Sequence, residues 1–250
     1  MDPTYENKRS RLESGYWLFR ARRELIFTLL RRSGVHPDSK ILDAGCGGGL
    51  LIRFLQWKGF KNVSGIDTSK MMVNLCRERG LMNVSRQDCM ETTFDDDMFD
   101  VIIAADVLEH LKDDSVALRE WKRILKKNGR LIITVPAFKF LWSSHDEVCH
   151  HYRRYSKSAL IHLLKKADFS VDRISFWNFT LFFPVYLMRV LQGWFSRDKA
   201  EPTDQLYELN PFINNLLVQL LRIENQLLSW INFPVGISIC AVARKRNKSG

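Results

Sequence analysis

The chain has 250 residues, and several things are scarce in it. Cysteines number five, an odd count scattered along the chain, which argues against a disulfide scaffold and for a reducing compartment. Thirteen Gly and seven Pro exclude collagen-like or low-complexity architecture. The opening stretch, MDPTYENKRSRLESGYW, has no apolar core, so no secretory signal is read there. No segment recurs at a period of roughly 20–50 residues, which excludes a solenoid or propeller. Clean membrane spans are also missing, since a spanning helix needs roughly 20 predominantly apolar residues. The run FTLFFPVYLMRVLQGWF is broken by Pro184 and Arg189, and LNPFINNLLVQLLRIENQLLSWINF by Arg222 and Glu224. Acids are in deficit: 38 Lys and Arg against 28 Asp and Glu leave +10. That excess either attracts something acidic (nucleic acid, an anionic membrane, a phosphorylated substrate) or merely keeps the protein soluble.

What is present is alternation. Strands are expected at Lys40–Ala44, Asn62–Ile66, near Val84, at Phe99–Ala104 and at Arg130–Val135. Helices over about Leu50–Trp57, Ser69–Arg79 and Asp114–Lys126 separate them. Strands alternating with helices imply a doubly wound, mostly parallel sheet with right-handed crossovers. VIIAA and LIITV are apolar throughout, as central strands covered on both faces must be. A helix over Ser156–Ala167, a strand over Phe169–Phe176 and a last strand over Ile237–Ala243 complete the pattern. The expected division is one α/β domain. Residues 1–38 form a helical segment, 39–176 the core, 177–234 a helical insertion, 235–244 the last strand and 245–250 a basic tail.

The densest motif is ILDAGCGGG, residues 41–49, where a strand runs into glycines and a helix follows. Glycine allows positive φ and close backbone approach to a ligand. The helix start adds free N–H groups at the same point. A dinucleotide fingerprint needs a third glycine where Leu50 stands, and the phosphate loop's Gly-Lys-Ser/Thr is missing. Asp43 would repel a pyrophosphate and favour a cationic ligand. Asp67 follows Gly45 by 22 residues, near the spacing that puts a carboxylate on a ribose diol. Asp88 follows the third strand, where an acid can read an adenine edge and Met90 can pack on the ring.

ILDAGCGGG, GIDTSKMM, QDCM, FDVIIAADVLEHLKD and GRLIITVP stand in an order that resembles the class I S-adenosylmethionine-dependent methyltransferases. The resemblance implies a seven-stranded sheet with an antiparallel last strand, and S-adenosyl-L-methionine as cofactor. It places Asp43, Gly45, Cys46 and Gly47 near the methionine part. Asp67, with Thr68 and Met72, falls at the ribose. Asp88, Cys89 and Met90 fall beside adenine, and Ala105 and Asp106 on the wall after the fourth strand. His110, in VLEHL, is expected as pocket wall on the substrate side.

After the fifth strand, WSSHDEVCHHYRRYS (residues 142–156) faces the ligand crevice. His145, His150 and His151 are the candidate bases, since histidine is the residue most easily moved across neutral pH. Tyr152 and Arg153 are candidate substrate contacts, and Arg153 and Arg154 suit a carboxylate or phosphate. A structural lid fixed by His–Asp hydrogen bonds is the alternative. No metal is expected, because neighbours in sequence cannot all converge on one ion. The segment YWLFRARR (residues 16–23) is expected to pack over the cofactor, with Arg20 or Arg23 pairing its carboxylate. The insertion reads as a cap, a dimer interface or a peripheral membrane contact. Arg197 and Lys199 favour the last, while Glu201, Asp204, Glu208 and Glu224 dilute the basic character and favour a cap or interface.

The function expected is methyl transfer to an O or N nucleophile of a small-molecule or lipid-like acceptor. The chain is expected in the cytoplasm, free or peripheral on a membrane, as monomer or homodimer. A non-catalytic adaptor that binds the same cofactor at a membrane is the rival. An RNA methyltransferase is a weaker one, as no paired catalytic cysteines and no basic-aromatic stripe stand out.

Overall fold

The computed structural model describes residues 3–195 and 209–246. Arg197, Lys199, Glu201, Asp204 and Glu208 of the insertion lie outside the described residues, as does the tail beyond Arg246. The chain begins with α1 (Pro3–Leu12) and α2 (Trp17–Arg32). The alternating core follows: β1 (Lys40–Ala44), α3 (Leu50–Trp57), β2 (Asn62–Asp67), α4 (Lys70–Glu78), β3 (Val84–Arg86), β4 (Phe99–Ala105), α5 (Asp114–Ile124) and β5 (Leu125–Pro136). After it come α6 (Ser144–Val148), α7 (Lys157–Lys166), β6 (Phe169–Trp177), α8 (Phe179–Phe195), α9 (Pro211–Leu228) and β7 (Ser238–Lys245).

The seven strands form one sheet in the order β3-β2-β1-β4-β5-β7-β6. β1 to β5 pair in parallel, and β7 runs antiparallel between β5 and β6. This is the doubly wound sheet with an antiparallel last strand that the alternation and the motifs implied. Ile102, Ile103, Ile132 and Ile133 are fully buried, as befits strands covered on both faces. One boundary differs: α5 stops at Ile124 and β5 is assigned from Leu125, earlier than Arg130. Asn128 takes φ +61°, and the β4–β5 register slips between Phe99 and Val101, so the turn is absorbed as a bulge.

The strand order reverses beside β1, which puts a crevice at the carboxyl ends of β1 and β4. The N-terminal helices and the insertion close over that end. Asn225 of α9 accepts from Trp177 Nε1 (2.8 Å) and donates to the Ala21 carbonyl of α2 (3.0 Å). Glu24 and Arg222 form a forked pair across the same interface. α8 starts against Glu224, whose carboxylate accepts from the N–H groups of Phe179 (2.9 Å) and Thr180 (3.2 Å). That buried acid satisfies the orphan donors at a helix start. Among the described residues, no helix is long and apolar enough to cross a membrane.

Candidate functional site

Two adjoining hollows open at the carboxyl end of the sheet. The smaller, about 70 Å³, lies over the glycine turn between Asp43, Gly45, Cys46 and Ala105 below and Arg22 and Arg23 above. Gly45 has φ +75°, and a Cβ there would meet Val107 Cγ2 at 2.8 Å, so no other residue fits without a shift. The N–H groups of Gly45 and Cys46 both donate to the Ile66 carbonyl (2.8 and 3.0 Å), which locks the turn to β2. Asp67 joins in, accepting from Gly47 N–H and Ser69 N–H, each at 2.8 Å. A carboxylate has about four acceptor sites, so capacity remains for a ligand hydroxyl.

Met72 is buried in α4, while Thr68 and Asp88 are exposed. Asp88 accepts from Met90 N–H (2.8 Å), and the carbonyl of buried Cys89 takes Trp121 Nε1 (2.9 Å). Thr68, Met72, Asp88, Cys89 and Met90, after β2, in α4 and after β3, lie beyond the walls of the small hollow.

α1 lies across this end, and Glu13 after it lines the hollow. Buried Glu13 pairs with Arg79, which also donates to the Gly48 carbonyl (2.6 Å). Ser69 Oγ donates to Glu6 at 2.9 Å. Small-molecule sites are usually about 300–1,000 Å³, so the small hollow alone does not hold a nucleoside.

The expectation for Arg20 is corrected. Its guanidinium donates to Asn215 of α9 (3.1 Å), on the helix face that also carries Ala21 and Glu24 to α9. Arg22 and Arg23 face the hollow instead, about 100° per residue further round.

The larger hollow, about 450 Å³, lies beyond Arg22 and Phe19, which line both. Trp17, Leu181, Val185 and Met188 supply apolar walls, so α2 and α8 form its sides. Its polar end gathers Glu109, His110, His145, His151, Arg154 and Asn178. Between the hollows Arg22 pairs with Asp106, which sits at φ +56° and accepts from Thr134 Oγ1 (2.8 Å).

At the polar end the organiser is Asp146. The Ser143–Asp146 capping box opens α6 and aims this carboxylate inward, where it is fully buried. Arg154 grips it with two hydrogen bonds of 2.8 Å, and His151 Nδ1 bonds it at 2.8 Å. Burial pushes the Asp146 pKa up, but the hydrogen bonds of His151 and Arg154 outweigh this and hold it below the usual range. An ionised carboxylate only accepts, so His151 carries its proton on Nδ1 and presents Nε2 as the basic atom. The His110 ring meets that of His151 edge to face at 4.5 Å, and His110 Nδ1 lies 3.0 Å from the Cys149 carbonyl. His145 also lines the hollow, with its pKa lowered to about 4 by burial and by the His151 charge.

The other predicted contacts point elsewhere. His150 takes φ +53° and is exposed. Tyr152 is 58% exposed, turned out by its N–H bond to the Glu109 carbonyl. Arg153 is held by Asp114 (3.0 Å) and by the Leu111 and Lys112 carbonyls. It therefore clamps the loop before α5 and does not line the hollow.

Sequence reasoning passed over Glu109 and Asn178. Among the described residues, both Glu109 carboxylate oxygens and the Asn178 Oδ1 are buried without a hydrogen-bond partner. Burial, then the Asp106 charge, raises the Glu109 pKa well above its ordinary value, so this acid holds its proton in the pocket. The available signal was an acid inside the apolar run VLEHL. Ligand atoms of Glu109, His110 and His151 lie within 4.8 Å of one another. The groups that converge thus come from two segments, rather than from the His-rich segment alone.

A family model described as "Methyltransferase domain" matches residues 42–133. The ubiquinone biosynthesis O-methyltransferase of Pelagibacter ubique is 30% identical over 159 residues, 57% of this chain and 66% of that protein. Phosphoethanolamine N-methyltransferase 1 of Zea mays is 31% identical over 110 residues, 42% of this chain and 22% of that one. The chain therefore spans just under two thirds of the first relative's length. Among solved structures, a SAM-dependent methyltransferase from Thermotoga maritima superposes with TM-score 0.59 and 19% identity, over 97% of this chain and 98% of that one. The [4+2]-cyclase SpnF superposes with TM-score 0.60 and 20% identity, over 92% and 86%. At these identities the likeness concerns the fold alone, and the second neighbour warns that fold does not fix chemistry.

Proposed function

The chain belongs to the class I S-adenosylmethionine-dependent methyltransferases, and from that premise we propose that it methylates a hydroxyl or amine on a largely apolar small molecule held in the larger hollow. The observation that carries this is the Asp146–His151 pair, which aims a basic Nε2 into an apolar cavity beside the glycine turn.

The residues fit the cofactor. Gly45 leaves room where a Cβ would clash, and Asp43 and Asp67 offer carboxylates at the ends of β1 and β2. Arg22 and Arg23 stand above as partners for a ligand carboxylate. The cofactor, when bound, supplies an electrophilic methyl group on a sulfonium. The chain's own work is alignment, exclusion of water and handling of one proton. His151 Nε2 takes the acceptor's proton, and Asp146 stabilises the imidazolium that results. Protonated Glu109 donates a hydrogen bond to the acceptor, and the Asn178 amide oxygen accepts one, which pairs both orphaned groups. Trp17, Leu181, Val185 and Met188 hold its apolar body and keep water out.

The named relatives methylate one oxygen and one nitrogen acceptor. Both options stay within this reading, and the apolar walls favour an acceptor with a ring or chain. The test is calorimetry with S-adenosylmethionine, followed by methyl transfer from labelled cofactor to fractionated small-molecule and lipid extracts. Saturable binding with label entering an apolar fraction is expected. No cofactor binding by the native chain would overturn the reading.

A further inference from the structure

A second polar groove lies at the opposite end of the sheet. It is an open cavity of about 540 Å³, where the end of α2 meets β5, β7 and β6. Four arginines line it: Arg32, Arg130, Arg173 and Arg244, which lie far apart in the chain. Among the described residues the only acid on its wall is Asp172, while Ser33 and Ser229 add hydroxyls. Leu29 and Val242 form its apolar floor.

Part of this charge has a structural task. Arg173 donates to the Ile231 carbonyl (2.9 Å) and to Asn232 Oδ1 (3.0 Å), and it caps the end of α9 through the Leu228 carbonyl. Arg244 grips Asp172 with two bonds of 3.0 and 2.9 Å. Arg32 lies over the Trp230 ring at 4.4 Å and suits a helix C-terminus. Arg130 differs, since no hydrogen bond or ion pair holds its guanidinium among the described residues. It stands directly opposite Arg244 in the antiparallel β5–β7 register, and like charges so placed are destabilising. Burial and then the Arg32 charge push the Arg173 pKa down. Four guanidinium groups facing one carboxylate, with two opposed across a ladder, leave an uncompensated field in a groove large enough for a ligand.

We propose that this groove binds a phosphate-bearing anion, a phosphate or diphosphate ester, bridged between Arg130, Arg244 and Arg32. Forked guanidinium donors match phosphate oxygens bidentately, and the serine hydroxyls complete the set. The site is separate from the proposed methyl-transfer site. Arg130 begins the stretch of β5 paired to β7, whereas Pro136, at the other end of that strand, lines the larger hollow. The same chemistry is offered by a free phosphorylated metabolite and by an anionic lipid headgroup.

The test uses the full chain in three forms: native, Arg130→Gln and Arg32→Gln. Inorganic phosphate and pyrophosphate are titrated by calorimetry and thermal shift at fixed ionic strength. Pyrophosphate should bind saturably and raise Tm, with affinity falling roughly tenfold in each variant, as for one lost charge-assisted hydrogen bond. Arg130→Gln should fold normally and be the more stable form without ligand, since it removes the cross-strand repulsion. Flotation with phosphatidylcholine vesicles, with and without phosphatidic acid, separates the two sources. Binding to acidic vesicles that pyrophosphate competes away marks a headgroup, and pyrophosphate binding without flotation marks a soluble phosphate ester. No binding of either kind by the native chain, or equal binding by all three forms, overturns the proposal. Cofactor binding, measured in parallel, reports separately on the methyltransferase reading.

Discussion

The two hollows at the carboxyl end of the sheet are neighbours, yet they are built in opposite ways. The smaller takes Asp43, Gly45 and Cys46 from one unbroken turn, and that turn is tied by short hydrogen bonds to the next strand. The larger draws on α2, the loop at Glu109, the segment around α6, α8 and the start of β7. In the smaller hollow, backbone geometry and acids form the site locally. In the larger one, buried polar groups without partners wait on whatever fills it. The floor of the smaller hollow is local in the chain, while the larger hollow is assembled by tertiary packing.

The sharpest way to break this comparison is to remove the base. His151→Gln should lower kcat by about 10²–10⁴-fold, the usual contribution of a positioned general base. Affinity for S-adenosylmethionine should not change, because His151 lines the larger hollow only. Single-turnover methyl transfer and calorimetry on the same sample check both halves. A variant that transfers methyl at the native rate would remove His151 from the mechanism.

Asp67→Ala tests the other hollow. It strips one hydrogen bond from the glycine turn, one from the start of α4, and an acceptor for a ligand hydroxyl pair. Cofactor affinity should fall by about 1–3 kcal/mol. Turnover at saturating cofactor should change far less than in His151→Gln, and calorimetry with steady-state kinetics measures the split.

The same contrast explains what the sequence made legible. The strands from Lys40 to Val135 and the sheet's antiparallel end follow from apolar runs punctuated by Gly, Asn and Pro. The floor of the glycine hollow is readable because Asp43, Gly45 and Cys46 lie within one turn of chain. Which histidine enters the larger hollow was not readable. His150 and His151 are adjacent, and the choice rests on φ +53° at His150 and on Asp146 gripping His151. The Ser143–Asp146 spacing was the one sequence signal for that, because a capping box fixes where the acid points. Arg20 and Arg23 could not be told apart because arginines on one helix look alike until α9 supplies Asn215 as a partner for Arg20. The groove of four arginines was invisible for the same reason: residues 32, 130, 173 and 244 meet only in the fold.

Glu109 gives a smaller effect with a definite sign. Its folded pKa is raised, so between the unfolded value near 4.3 and the folded value the native state binds the extra proton. Stability should therefore fall as pH rises through that window, by at most about 1.4 kcal/mol per pH unit, and level off above the folded pKa. Glu109→Gln should lose this slope while keeping a neutral, donating side chain. Urea unfolding from pH 4 to 8 checks it, and an unchanged slope in the variant would mean that Glu109 ionises freely when folded. His145 acts at the acid side of the same profile. With a folded pKa of about 4 against roughly 6.5 unfolded, it costs stability as pH falls through that interval. His145→Gln should flatten that limb.

The smallest expected effect lies on the rim. Arg222 and Glu24 join α9 to α2, but their side chains are 39% and 24% exposed. Solvent screens such a pair, so Arg222→Met should cost only about 0–1 kcal/mol, less at high salt. Asn225, a turn away and buried, bonds both Trp177 and the Ala21 carbonyl. Its replacement by Ala strands a buried indole N–H and a carbonyl, so it should cost more than Arg222→Met, about 1–3 kcal/mol. The ratio of the two, read from urea midpoints, tells whether the insertion is held to the N-terminal helix by its buried polar contact or by its surface charges. If Arg222→Met proved the costlier, the lid over both hollows would be an electrostatic latch that salt could loosen.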